Sequence, residues 1–151
     1  MARQCRPQCG VSFVLDNSVA MCWLLVDGKP ADVAYAETVL DALRERQALV
    51  PSLWALEACN VIARGEAKGL LTEARSQAFV VLLERLNIAT DTATAARALS
   101  DTLHLARRYK LSAYDAAYLE LALRTGLPLA TLDADLKKAA QGAGVQPFAP
   151  N

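Results

Sequence analysis

Val11-Ser12-Phe13-Val14-Leu15-Asp16-Asn17-Ser18 is the stretch from which the fold is read. A β-branched and aromatic run ends on an acid and two small polar residues. That pattern predicts a strand buried on both faces, as parallel strands are, opening into a loop. Residues 17–25 then read as a short helix stopped by Asp27, Gly28 and Pro30. Outward from this unit the alternation repeats. A helix is expected over 31–46, where Val33, Ala36, Val39, Leu40 and Leu43 keep helical spacing. Another opens at Pro51 and Ser52 and runs to Gly65 or Gly69; a third starts at Thr72 with Phe79, Leu82, Leu83 and Leu86 on one face. Residues 94–109 are expected as one helix with Ala96, Leu99, Leu103 and Ala106 in register. Residues 112–125 form the next, closed by Gly126, and 133–141 the last, broken by Gly142 and Gly144. Further strands are expected at 48–50, 87–90, 127–132 and 145–148. This alternation predicts an α/β fold: a parallel sheet of about four to five strands flanked by helices in three layers.

The chain has 151 residues, enough for one domain over 11–151 and for a core that needs no disulfide or metal staple. A hydrophobic share of 54% against 21% charged excludes a disordered chain, a collagen-like chain and a coiled-coil rod. Lys plus Arg is 16 and Asp plus Glu is 16, so there is no general basic coat and any nucleic-acid contact has to be local. Residues 1–10 are expected to be a disordered leader or to reflect an upstream start; no long apolar signal-peptide region follows them. No apolar run approaches the ~18 residues of a membrane span. Cys22 and Cys59 sit in apolar runs, where free cysteine behaves as a small hydrophobe. A single histidine leaves little for a Cys/His zinc site. These features point to a reduced, cytoplasmic protein without membrane contact.

Four acids stand out. Asp16 and Asp133 end two expected strands, where ligands bind in open α/β sheets; each could equally cap the helix that follows. Glu57 and Asn60, with Arg64 a turn further, form a narrow polar stripe in the apolar run Leu53-Trp54-Ala55-Leu56-Glu57-Ala58-Cys59-Asn60-Val61-Ile62-Ala63. The bland reading of that stripe is the solvent side of a well-packed helix. Asp115, three residues after Ser112, has the spacing of a capping box and suits the helix dipole. Together, Asp and Glu without supporting His or Cys make an oxygen-ligand site suited to Mg2+ or Mn2+. The matching chemistry is hydrolysis of a phosphodiester or phosphoryl group by metal-activated water. Ser18 either supports such a site or caps the helix. His104 reads as a surface or packing residue, and Trp23 and Trp54 as packing residues. No Gly-rich phosphate loop and no G-x-S-x-G elbow is present.

The segments Val14-Leu15-Asp16-Asn17-Ser18-Val19, Glu57-Ala58-Cys59-Asn60-Val61-Ile62, Tyr114-Asp115-Ala116-Ala117-Tyr118-Leu119-Glu120-Leu121-Ala122 and Ala130-Thr131-Leu132-Asp133-Ala134-Asp135-Leu136 occur in that order. They resemble the motifs of PIN-domain ribonucleases, especially the VapC toxins of bacterial toxin–antitoxin pairs, over residues 11 to about 148. The resemblance implies a PIN-like fold and a Mg2+-dependent endoribonuclease, with Mn2+ able to substitute. It implies Asp16, Glu57, Asp115 and Asp133 as catalytic metal ligands, with Ser18, Asn60 and Asp135 supporting. It also implies cleavage to a 3′-hydroxyl and a 5′-phosphate, a homodimer, and a small antitoxin that blocks the active site. The alternatives are a PIN nuclease outside any toxin–antitoxin system, or a binding module that has lost turnover. Arg64 and Lys68 on the Glu57 helix, and Lys137 and Lys138 after Asp133, are the candidate local RNA contacts. Apolar residues such as Trp23, Leu24, Leu25, Val80 and Val81 are expected in the core or at interfaces.

Overall fold

Phe13, Val14 and Leu15 are all fully shielded from solvent within strand β1 (Val11–Leu15). Successive strand residues point to opposite faces, so β1 is covered on both. The computed structural model describes residues 10–26 and 28–150. After β1 come α1 (Asn17–Leu24), α2 (Pro30–Ala42), β2 (Gln47–Val50), α3 (Trp54–Ala67), α4 (Glu73–Arg85) and β3 (Ile88–Thr90). There follow α5 (Thr94–Arg97), a π-helical turn (Ala98–Thr102), α6 (Leu103–Tyr109), α7 (Ala113–Thr125), β4 (Leu129–Ala130) and α8 (Ala134–Ala143).

The strands pair in parallel in the order β3-β2-β1-β4. The chain lays β2 and β3 on one side of β1 and then crosses back to put β4 on the other. The order reverses between β1 and β4, and the crevice beyond their carboxyl ends is where such sheets take ligands. Helix α7 packs against both of these strands. Every residue from 116 to 122 is buried, so α7 is a core helix rather than an amphipathic surface one. Phe148 stacks on Phe13 with ring centroids 3.9 Å apart, and Tyr35 donates a 2.8 Å hydrogen bond to its carbonyl, which fastens the C-terminal segment over the sheet.

Several expected boundaries move for local reasons. Helix α3 runs through Gly65, because Leu71 folds back onto that position; a Cβ there would sit 2.7 Å from Leu71 Cδ1. Helix α8 passes through Gly142 and ends at Gly144, whose φ of 82° closes it in the left-handed region. Helix α2 stops at Ala42, short of residue 46. The expected helix over 94–109 is interrupted by the π-helical turn, which shifts the phase of the following residues. Leu99 is consequently 89% exposed, and Thr102 takes the inward place. The expected strand at 127–132 pairs only over Leu129–Ala130, and that at 145–148 reduces to one bridge between Leu129 and Pro147. Cys59 lies on the exposed side of α3 rather than among its apolar neighbours. Residues 1–9, which include Cys5, Cys9 and nearly all of the expected leader, and the expected helix stop at Asp27 lie outside the described residues.

Candidate active site

Asp16 stands one residue past β1, and its main-chain N–H bonds to the Ala130 carbonyl of β4 at 2.9 Å. Its side chain makes no capping bond to α1. Instead Oδ2 accepts hydrogen bonds from Ser18 Oγ at 2.6 Å and Thr131 Oγ1 at 2.7 Å. Each hydroxyl accepts in turn: Leu132 N–H bonds to Ser18 Oγ and Asp133 N–H to Thr131 Oγ1, both at 3.0 Å. Both hydroxyl protons are thereby committed to the carboxylate, and the turn after β4 is stitched to the turn after β1. Ser18 braces Asp16 rather than capping the helix.

Asp133 does cap, accepting from Leu136 N–H at 2.8 Å at the start of α8. Asp115 sits in the first turn of α7, where its N–H bonds to Ser112 Oγ at 3.1 Å, the forward half of the expected capping box. Tyr118, one turn further and fully buried, donates to Glu57 Oε1 at 2.6 Å. Helix α7 thus carries Asp115 directly and holds Glu57 of α3 through Tyr118.

Asp16, Glu57 and Asp115 each feel the charge of a neighbouring carboxylate. Burial raises Asp16 above the usual carboxylate range, the Ser18 and Thr131 hydroxyls oppose that, and the charge of Asp133 adds to it. Burial also raises Glu57; the Tyr118 hydroxyl opposes the shift, and the charges of Asp16 and Asp115 reinforce it. Asp115 is pushed up to about 6, first by burial and then by the charges of Asp133 and Asp16, with a smaller push from Asp135. Crowded carboxylates of this kind are relieved by a proton or by a cation.

The donors are all oxygens, which suits a hard cation. Among the described residues, no three Asp, Glu, His or Cys side chains stand as a ready-made metal cage. An all-oxygen donor set suits Mg2+, which keeps several waters and takes one or two carboxylates directly, better than the His and Cys ligands of a structural zinc site. A larger cavity of about 740 Å3 lies beside β4 and α8 and meets the acidic group only at Thr131 and Leu132; its one carboxylate is Asp32.

The PIN domain family model matches residues 13–142. The chain belongs to the PIN domain family. PIN domains are generally metal-dependent nucleases. The fold of this PIN domain is shared with PAE2754 from Pyrobaculum aerophilum, at 23% identity and a TM-score of 0.62 over 87% of this chain and 81% of that one. It is also shared with a toxin–antitoxin complex from Klebsiella pneumoniae (22% identity, TM-score 0.57, 93% and 98% of the two chains). FitAcB from Neisseria gonorrhoeae is similar to the same degree (21% identity, TM-score 0.55, 91% and 97%). No curated protein shows significant sequence similarity to the chain.

The remaining expected residues of the PIN domain are spread more widely. Asn60 is exposed on α3 and lines a hollow that includes Glu57. Asp135 is exposed and acts on Asp115 only through its charge. Arg64, Lys68, Lys137 and Lys138 are all exposed. Trp54 is buried, and half-buried Trp23 donates to the Ala36 carbonyl at 2.7 Å, so both pack as expected. His104 is exposed. Sequence reasoning gave no role to Thr131 or Tyr118. The available signals were a hydroxyl at the end of an apolar strand and a tyrosine one helical turn from Asp115.

Proposed function

We propose that this PIN domain, over residues 11–151, is a Mg2+-dependent endoribonuclease that acts as the toxin of a toxin–antitoxin pair. The observation that supports the reading is the hydrogen-bonded junction of Asp16, Ser18, Thr131 and the Asp133 main chain where the strand order reverses, with Glu57 and Asp115 near enough for carboxylate charges to raise them. These residues would hold Mg2+, or Mn2+ in its place. The metal, when bound, supplies activated water and neutralises charge on the phosphorus oxygens. The chain's own contribution is to hold its carboxylates ready. Ser18 and Thr131 fix Asp16, Tyr118 fixes Glu57, and the Leu136 N–H fixes Asp133. Burial of Asp16 to 4% exposure keeps bulk water from the innermost ligand. Asn60 supports the site from α3, and Asp135 adds negative charge at its edge.

The toxin reading is supported by likeness to the Klebsiella pneumoniae toxin–antitoxin complex along almost the whole of both chains. It brings with it a small antitoxin partner, a homodimer and a cytoplasmic setting. No helix among the described residues is long and apolar enough to cross a membrane. Incubation of the purified protein with total RNA tests the activity. Cleavage in Mg2+ or Mn2+ that stops in EDTA is expected, whereas intact RNA in both metals contradicts the proposal.

A further inference from the structure

Beside the acidic group lies a hollow of about 370 Å3 whose lining includes Glu57. Its walls are unusual for a surface next to charge. Leu56 is 74% exposed and Tyr114, the residue before Asp115, is 62% exposed, and both line the hollow. Two carboxamides, Asn17 and Asn60, line it as well. Asn17 is only 7% exposed, and its Oδ1 is buried with no hydrogen-bond partner. A buried acceptor left without a partner is costly unless something completes it. No lysine or arginine lines the hollow, so it is not built for a phosphate. Apolar walls that include the Tyr114 ring, together with carboxamide donors and acceptors, match an object that has apolar faces and a hydrogen-bonding edge. A nucleobase is such an object.

We propose that this hollow is a nucleobase subsite, taking one unpaired base of the RNA strand next to the scissile phosphate. The base stacks on Tyr114, and the Asn17 and Asn60 carboxamides meet its edge. A base held in the hollow gives one position near the cut a base preference. The inference rests on the ribonuclease reading, but its test reads binding rather than cleavage.

The probe is a short, labelled, single-stranded oligoribonucleotide, kept intact by EDTA and titrated by fluorescence anisotropy. Both Tyr114→Ala and Tyr114→Phe alter an exposed side chain, so folding is checked by melting temperature. Tyr114→Ala is expected to weaken binding roughly tenfold, the order of a lost stacking contact, and Tyr114→Phe to keep the unmodified affinity. An abasic nucleotide at one position of the probe should weaken the unmodified protein by a similar factor and have no further effect on Tyr114→Ala. Equal affinity of Tyr114→Ala and the unmodified protein overturns the subsite. So does a loss that is the same at every abasic position. If Tyr114→Ala instead splits a dimer in light scattering while RNA affinity stays constant, the hollow is a contact between copies and the proposal falls. Failure of the nuclease reading looks different: the unmodified protein then cleaves no RNA in Mg2+, whatever the anisotropy shows.

Discussion

Asp115 is a carboxylate on which pH acts within the working range. Burial, then the charges of Asp133 and Asp16, push it up to about 6 from its ordinary 3.8. Between those values the folded, metal-free protein keeps a proton that the unfolded chain has released. Stability from this group is therefore complete below its ordinary value and is lost as pH rises through about 6. The melting temperature of the metal-free protein should fall between about pH 4 and pH 6, and Asp115→Asn should flatten that fall. Identical profiles for the two proteins would contradict the shift. Tyr118 makes the second residue-scale case. Tyr118→Phe keeps the buried ring and removes only the donor to Glu57, at a cost of about 1–2 kcal/mol. The Mg2+-induced rise in melting temperature should shrink with it and cleavage should drop roughly tenfold, since about 1.4 kcal/mol is a factor of ten. Unchanged values for both would make Tyr118 a packing residue alone. The acids were legible in the sequence because charge in or beside an apolar run is conspicuous. Thr131 and Tyr118 were not, because a hydroxyl in the same run reads as packing until its partner, distant in sequence, is seen.

Among the elements, β1 and α7 were readable because burial and capping are written locally: an unbroken apolar run in one, Ser112 and Gly126 at the ends of the other. The π-helical turn was not, because a one-residue phase shift leaves composition unchanged and shows only when Leu99 faces solvent and Thr102 does not. The ends of the sheet were over-read for a similar reason. Residues 127–132 are apolar except for Thr131, yet only Leu129 and Ala130 find a pairing partner in β1. Another contact visible only in three dimensions ties three elements together. Asp91, just past β3, accepts two hydrogen bonds from Arg124 of α7, at 3.1 and 2.8 Å, and a third from Thr94 at 2.9 Å. Arg124 also donates to Glu120 at 2.7 Å, and Thr94 Oγ1 accepts from the Ser52 N–H just before α3. Burial alone would raise Asp91, but the Arg124 and Thr94 bonds outweigh it and hold it below the usual range. Replacing Arg124 with Met strands two carboxylates, one of them Glu120 at 4% exposure. Urea unfolding of Arg124→Met should show a loss of about 3 kcal/mol. A loss under about 1 kcal/mol would mean that the network is solvated and contributes little.

For the whole molecule, the balance of 16 basic and 16 acidic residues means that the RNA contact of the proposed nuclease has to be local. Arg64 and Lys68 on α3, and Lys137 and Lys138 on α8, are exposed and are the proposed contacts. Each phosphate contact should contribute about 0.7 to the log–log salt slope for a single strand. The double change Arg64→Ala with Lys68→Ala should therefore lower both affinity and slope, and unchanged values would place the contact elsewhere. In the proposed mechanism the acidic site acts as one unit at this scale, with one carboxylate each from the turn after β1, α3, α7 and the turn after β4. On the proposed mechanism those charges repel in the metal-free protein, so removing one should cost little stability, and Mg2+ bound by the folded state alone should raise the melting temperature. The decisive comparison is the unmodified protein against Asp16→Asn, melted with and without Mg2+ and assayed for RNA cleavage in parallel. The expected result is a metal-free Asp16→Asn protein as stable as the unmodified one, with the Mg2+ shift largely lost and cleavage abolished. An Asp16→Asn protein that cleaves RNA at the unmodified rate would contradict the four-carboxylate mechanism, whatever its stability.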